Sequence, residues 1–289
     1  MSRIALGTAQ FGLPYGVANK AGQVSRIEAK SILHHAYIHK IDTIDTAIGY
    51  GQSEDCLGEV GVRDFQVITK LPGVPDGCAD IKEWVEEQLK ASLSRLGVRK
   101  VYGLLLHQPE QLLGLNGNAL YNALKSLKEE GLVKKIGISV YSPSELDLLT
   151  NNFHFDLVQA PFNILDRRFF ITGWLQRLKD SGVEIHTRSA FLQGLLLLNR
   201  VAIPPKFLPW NGLLKKWHDW LDKNSISALQ ASLAFPLSFS QIDRVVVGVD
   251  SKSQLLQILS AESDSMNTHV PNLSSEDENL INPANWSKL

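Results

Sequence analysis

The chain switches repeatedly between short β-prone runs and amphipathic helical stretches, and this switching restricts its fold more than any other feature. "RIALGTA" at Arg3 precedes a helical stretch from about Ser25 to His39, and "TIDTA" precedes a short helix after Ser53. "FQVITK", ending at Lys70, leads into "IKEWVEEQLKASLSRLG", where Trp84, Val85, Leu89, Leu93 and Leu96 fall on one face that must pack inward. The order continues with "VYGLLLH" and "ALYNALKSLKEEG", "VKKIGIS" and a helix opening at Ser142-Pro143, and "FDLVQAPF" and "GWLQRLKDSG". It closes with "VEIHTRS" and with "DRVVVGV" followed by "SKSQLLQILS". Eight strands, each followed by a helix, allow parallel crossovers throughout, which predicts an α/β fold of the (β/α)8 TIM-barrel type rather than an open sheet. Barrels of about 250 residues form one domain, so a single domain is expected over residues 1–289.

Two regions break the rhythm. Between about Leu195 and Lys223, "PPKFLPWNG" is expected to be loop ahead of a further helix. The polar tail 261–289 is expected to serve as a partner motif or a lid, either docking onto the barrel near the mouth through Trp286 or remaining disordered. Trp210, Trp217 and Trp220 fit either a substrate pocket or a helix packed on the barrel.

Composition excludes several classes of partner. Lys plus Arg total 29 against 30 Asp plus Glu, a formal net charge of −1, so no global field draws the chain to nucleic acid or to an acidic membrane. The chain has no apolar stretch of membrane-spanning length, two cysteines (Cys56 and Cys78) and no leader-like N-terminus. A reducing, cytoplasmic location is the expectation. No pattern specifies an oligomeric state.

In such a barrel the C-terminal ends of the strands converge on one mouth. Strand two ends at Asp45 with Tyr50 just beyond it, strand three at Lys70, and strand four at His107. Singly, each has an ordinary explanation: a turn cap, a packed ring, a solvated charge or a polar residue before Gln108-Pro109. Together they place an acid, a phenol, an amine and an imidazole on one rim. Strand alternation turns Thr43 and Asp45 to the same side, so Asp45 is expected to face the interior as counter-ion to Lys70. Gly49 and Gly51 leave the backbone around Tyr50 free to approach a ligand. A neighbouring ammonium lowers a phenol from its usual pKa of about 10, so Lys70 is expected to acidify Tyr50, with His107 hydrogen-bonding the reacting oxygen. The implied reaction is reduction of a small-molecule carbonyl substrate, or its reverse.

"DTAIGYGQSE", "LGEV", "VITK", "SLSRLGV", "LLLHQP", "GLVKKIGIS" and "VVVGVDSKSQL" together resemble the aldo-keto reductase family, in order over nearly the whole chain. The resemblance implies a (β/α)8 barrel and a catalytic tetrad of Asp45, Tyr50, Lys70 and His107. Tyr50 then gives the proton to a carbonyl that takes hydride from a nicotinamide. NADP(H) is the family default and NAD(H) the alternative. By position, Ser139 and Gln159 match residues that hold the nicotinamide carboxamide, and Ser189, Leu192 and Gly194 in "RSAFLQGLL" match the loop around the pyrophosphate. The chain contains no Gly-x-Gly-x-x-Gly, so a Rossmann site has no support.

Several positions depart from the family pattern. Val140 follows Ser139 where Asn is usual, and Arg188 takes the place of the aromatic ring that stacks on the nicotinamide, a role its planar guanidinium can fill. After strand eight, where a 2′-phosphate is usually gripped by Lys or Arg, the chain offers Gly248, Asp250 and Gln254. That leaves Lys252 and Arg244 to offset the carboxylate, so the local chemistry leans towards weak discrimination or NAD(H). The short N-terminal hairpin that closes the barrel bottom in many members is not expected, because the first core strand starts almost at Arg3.

Other readings stay open. His34, His35 and His39 share a helix face in the manner of a metal cluster, although a solvated face explains them more simply. A Schiff-base aldolase would use Lys70 as an amine nucleophile, which a neighbouring carboxylate disfavours. A non-catalytic nucleotide-sensing subunit, as in the potassium-channel β subunits that resemble the same family, would keep the cofactor channel without turnover.

Overall fold

All eight expected strands form, and they close on one another. The computed structural model describes residues 2–19, 21–263 and 270–289. The strands are β1 (Ile4–Gly7), β2 (Thr43–Asp45), β3 (Gln66–Leu71), β4 (Val101–Leu106), β5 (Val133–Ser139), β6 (Leu157–Pro161), β7 (Glu184–Arg188) and β8 (Arg244–Gly248). They pair in parallel in chain order, and β8 returns to β1 with Ile4 opposite Val245, so no edge is left open. The α/β, (β/α)8 TIM-barrel expectation is met.

The outer helices are set by local chemistry that fixes where each begins and ends. Helix α1 (Arg26–Ile38) starts where Ser25 Oγ accepts the Glu28 amide. Helix α2 (Ser53–Val60) follows the β2 loop. Helix α3 (Ile81–Leu96) is capped by Asp80 and stopped by Gly97 in the left-handed conformation, and buries Val85, Leu89 and Leu96 as the periodicity predicts. Helices α4 (Gly117–Glu129), α5 (Pro143–Leu149) and α6 (Trp174–Asp180) complete the ring on that side. Between β7 and β8 lie two helices, α7 (Asn211–Asn224) and α8 (Ala228–Leu237), and α8 opens with a reciprocal Ser227–Gln230 cap. Helix α9 (Lys252–Ser263) follows β8.

Inside the barrel, strand alternation stacks three layers. Ile68, Leu105 and Leu157 form an apolar plug separate from the main core. Gly137 admits this plug, since a Cβ there would sit 2.0 Å from the Leu157 carbonyl oxygen and 2.8 Å from a Leu105 methyl. Two residues further along the same strands, on the same inward face, come Lys70, His107 and Gln159 at the mouth. Below the plug lies a polar floor. Glu184 accepts from the Tyr102 hydroxyl at 2.8 Å and from Lys135, and pairs with His186 Nε2 at 2.6 Å. Arg244 bonds Asp42 at 3.1 Å alongside.

Both irregular regions differ from expectation in detail. "PKFLPW" (Pro205–Trp210) coils into a 3-10 helix rather than a loop, with Pro at its first position. Of the three tryptophans, Trp217 is fully buried, stacks on Trp220 at 5.7 Å and donates to the Leu196 carbonyl, so helix packing explains them. Residues 264–269 of the tail lie outside the described residues. From 270 onward the tail docks: Trp286 is buried, its ring 4.7 Å from Phe207, and Asp277 accepts from Trp210 Nε1. Trp286 meets the 3-10 segment and does not line the mouth. Among the described residues no helix is long and apolar enough to cross a membrane.

Candidate active site

Asp45 and Lys70 meet as the alternation predicts. Both Asp45 oxygens accept from Lys70 Nζ, at 2.8 and 2.7 Å, and the Thr46 carbonyl takes a third bond at 2.8 Å. Three acceptors match the three N–H donors of an ammonium. Lys70 is fully buried, and burial draws its pKa down while Asp45 opposes that shift. Asp45 is held in turn by the Gln159 amide at 2.7 Å, and its carbonyl accepts from the Thr8 hydroxyl. Ser53 donates to the Thr8 carbonyl, which ties β1, the β2 loop and α2 into one block beneath the mouth.

Tyr50 stands on the turn between β2 and α2. Gly51 has φ +55°, and a Cβ there would come within 2.5 Å of the Gly12 carbonyl oxygen, so this glycine is required. Gly12 is equally constrained, since its Cβ would strike the Tyr50 carbonyl at 1.7 Å. Gly49 is different from expectation: open space surrounds it and its φ is not positive, so the turn does not depend on it. The Tyr50 and His107 rings meet edge to face at 5.8 Å, with Lys70 Nζ 5.1 Å from the phenol centroid.

The expected acidification of Tyr50 is overturned. Burial, followed by the Asp45 charge, pushes the phenol well above its usual pKa, against a smaller opposing effect of Arg188. Burial is the main cause, and with Lys70 ion-paired to Asp45 the phenol faces a neutralised pair rather than a free ammonium. His107 moves the other way. Burial, with Lys70 and Arg188 nearby, lowers it to about 4, so it is a neutral imidazole at physiological pH.

Tyr50 and His107 open onto a cavity of about 690 Å³ that runs across the barrel mouth. Asp45, Ser139, Gln159, Arg188, Ser189, Gly194, Gly248, Asp250 and Gln254 also line it. The Ser139 hydroxyl donates to the Gln159 side-chain Oε1 at 3.4 Å, on the cavity wall beside the Lys70–Asp45 pair. Two expected cofactor residues are elsewhere. Leu192 is fully buried with its side chain in the core, so only its backbone belongs to the loop. Lys252 does not line the cavity, and its amide donates to Glu28 on α1. Arg244 cannot assist either: it opens β8 at the floor, four residues below Gly248.

The loop after β7 has a backbone suited to an anion. Ser189, Leu192, Gln193 and Gly194 all have positive φ, and the amides of Ala190 and Phe191 have no acceptor among the described residues. Tyr141 and Tyr15 are among the lining residues that the sequence patterns did not mark. Tyr141 lies under Arg188, whose guanidinium carbon is 4.3 Å from the ring centroid and which donates to the Val140 carbonyl. Tyr15 accepts from Gln193, while Val17 N–H donates to the Gln193 carbonyl and Asn19 donates to Asp250. Residues 15–19 therefore cross from the β7 loop to the β8 loop over the cavity. Nothing but the irregular "FGLPYGVAN" marked that crossing.

His35 and His39 each bond a carbonyl one turn back, and the described residues contain no group of three or more potential ligands suited to a metal.

The sequence profile described as the aldo/keto reductase family matches residues 3–270. Oxidoreductase sirO of Leptosphaeria maculans is 30% identical over 204 residues, covering 67% of this chain and 61% of that protein. D-threo-aldose 1-dehydrogenase of Pseudomonas sp is 27% identical, covering 88% of this chain and 89% of its own length. L-glyceraldehyde 3-phosphate reductase of Escherichia coli O157:H7 is 25% identical, covering 84% and 81%. Among solved structures, aldo-keto reductase AKR11C1 from Bacillus halodurans in its holo form superposes with a TM-score of 0.75 at 21% identity, over 92% of this chain and 88% of that one. The barrel, the buried Asp45–Lys70 pair at its mouth and the matched profile lead to one conclusion: the chain belongs to the aldo/keto reductase family of oxidoreductases.

Proposed function

We propose that the chain is a nicotinamide-dependent oxidoreductase that reduces a small aldehyde, ketone or sugar carbonyl, or oxidises the matching alcohol, with Tyr50 as proton donor. The observation that carries this reading is the pairing of two neutral groups, a phenol held protonated and a neutral imidazole, edge to face at 5.8 Å on one cavity wall. A carbonyl oxygen between them would accept a hydrogen bond from His107 and the proton from Tyr50. A bound reduced nicotinamide supplies the hydride. The phenolate left after transfer faces the positive charge of Arg188, while Asp45 and Lys70 hold the surrounding wall in place. The names of two relatives, an aldose dehydrogenase and a glyceraldehyde 3-phosphate reductase, support a small aldehyde or sugar as substrate class.

The cavity's own chemistry fits a dinucleotide. Ser139 and Gln159 offer a hydroxyl and an amide beside Tyr50, and the positive-φ loop at Ser189–Gly194 offers backbone amides for a diphosphate. At the far end stand Asp250 and Gln254, with Asp250 bonded by Asn19. Among the described lining residues the only Lys or Arg is Arg188, at the catalytic end, so nothing would grip a 2′-phosphate and Asp250 would repel it. NAD(H) is therefore the proposed cofactor, against the family default of NADP(H). The aldolase alternative loses support because every Lys70 N–H is engaged and its amine is ion-paired.

Turnover of Tyr50→Phe tests the reading: reduction falls about 10²–10⁴-fold while cofactor affinity is kept. Activity near wild type would remove Tyr50 from the mechanism. Parallel fluorescence titrations with NADH and NADPH test the cofactor, and tighter binding of NADPH would reverse that assignment.

A further inference from the structure

Arg188 is the one cation among the described residues of the mouth that no carboxylate pairs with. Lys70 is neutralised by Asp45 at 2.7 Å, His107 is uncharged, and no described carboxylate lies within ion-pairing distance of Arg188. The guanidinium is fixed from two sides: its central carbon sits 4.3 Å from the Tyr141 ring centroid, and it donates to the Val140 carbonyl at 3.1 Å. The loop after β6 holds both flanks, with Arg168 donating to the Tyr141 carbonyl and Asn163 to the Ser189 carbonyl. Its positive charge is felt by Tyr50, Lys70 and His107 alike, so its field is directed into the reacting volume.

Hydride and proton must reach the two atoms of the same carbonyl, so a nicotinamide that serves Tyr50 has to lie within about 3–3.5 Å of that carbonyl's carbon, inside this small mouth. The ring carries one positive charge when oxidised and none when reduced; the rest of the dinucleotide is unchanged between the two forms. A fixed cation beside it therefore repels only the oxidised form.

We propose that Arg188 sets the redox poise of the site, making it bind the reduced, neutral nicotinamide more tightly than the oxidised, cationic one. This rests on the nicotinamide reading above. Tighter binding of the reduced form raises the midpoint potential of the bound couple, and each tenfold in the ratio of dissociation constants corresponds to about 30 mV for two electrons. The charge thus pulls hydride onto the cofactor and favours alcohol oxidation on the enzyme. Release of the oxidised cofactor is eased in the reductive direction.

The test is direct titration of the full chain with NAD+ and NADH at pH 7, without substrate. The wild type is expected to bind NADH at least tenfold more tightly than NAD+. Arg188→Gln is expected to cut that ratio by about tenfold, while Arg188→Lys, which keeps the charge but not the planar stack, retains it within about threefold. A wild-type ratio near one overturns the inference and leaves the nicotinamide reading intact. A loss in Arg188→Lys equal to that in Arg188→Gln also overturns it, because shape rather than charge would then set the ratio. If the wild type binds neither form, the titration is repeated with NADP+ and NADPH and the same ratios decide; binding of none of the four overturns both the inference and the reading beneath it.

Discussion

The two ends of the barrel are built from the same strands with similar polar groups, yet they end in opposite states. At the floor, Glu184 collects Tyr102, Lys135 and His186, and Arg244 is closed by Asp42 and Thr43. At the mouth, Asp45 and Lys70 satisfy one another, while Tyr50 and His107 face a cavity with no protein partner for the phenol hydroxyl among the described residues. Strand β7 contributes to both: Glu184 and His186 point to the floor and Arg188, on the same face, to the mouth. Buried charge is therefore not what marks a reactive site. The mark is a polar group left uncommitted beside a space that a ligand can fill, supported by a pair that is fully committed.

The sharpest way to break this contrast is to exchange activity for stability at each end. Tyr50→Phe is expected to remove about 10²–10⁴-fold of the turnover with the unfolding midpoint unchanged, since the hydroxyl makes no bond within the folded chain. Glu184→Gln is expected to do the reverse. It leaves Lys135 and His186 without their anion and should cost roughly 3 kcal/mol in denaturant unfolding, with turnover per folded molecule retained. Loss of turnover in proportion to stability in both variants would erase the distinction.

A smaller effect sharpens the comparison along the mouth itself. Asp250→Asn removes the only carboxylate among the described residues at the far end of the cavity, and the NADPH to NADH affinity ratio is expected to rise roughly 3- to 10-fold. No change would mean that Asp250, already bonded by Asn19, does not meet the phosphate.

pH separates the two ends as well. His107 titrates near 4 in the folded chain and near 6.5 unfolded, so the unfolded chain takes up the proton first. Its contribution to stability is complete above pH 6.5 and is lost as pH falls towards 4. Glu184 is also lowered: its hydrogen bonds from His186 and Lys135 outweigh burial, so its contribution persists down to the ordinary carboxylate range of about 4.3 and is lost only below it. Melting temperatures of the wild type and His107→Gln across pH 4.5–7.5 should show the decline in the first and a flatter profile in the second. Identical slopes would deny that the mouth histidine is held neutral.

Much of the site was legible because it depends on short-range periodicity. Two-residue alternation turned Asp45, Lys70 and His107 to the interior, and parallel strands carried all three to one rim. The Gly51 turn was readable as well, although Gly49 was not needed. What misled the reading was long-range. Tyr141 comes from a different strand end from Arg188, and the two meet only because the β6 loop clamps their flanks. Leu192 turned into the core because the β7 loop doubles back through positive-φ residues.

The sequence by itself determined the eightfold β–α order, the closed barrel it implies and the convergence of an acid, an amine, a phenol and an imidazole at one mouth. Those outcomes follow from side-chain alternation and crossover geometry, which act over a few residues at a time. Tertiary structure alone decided the protonation states and the charge balance. Whether Lys70 acidifies Tyr50 depends on how completely Asp45 absorbs its charge, and whether Lys252 or Arg244 reaches a cofactor depends on which end of a strand each occupies. Such electrostatic questions depend on distances between residues far apart in the chain, and no local pattern fixes those distances.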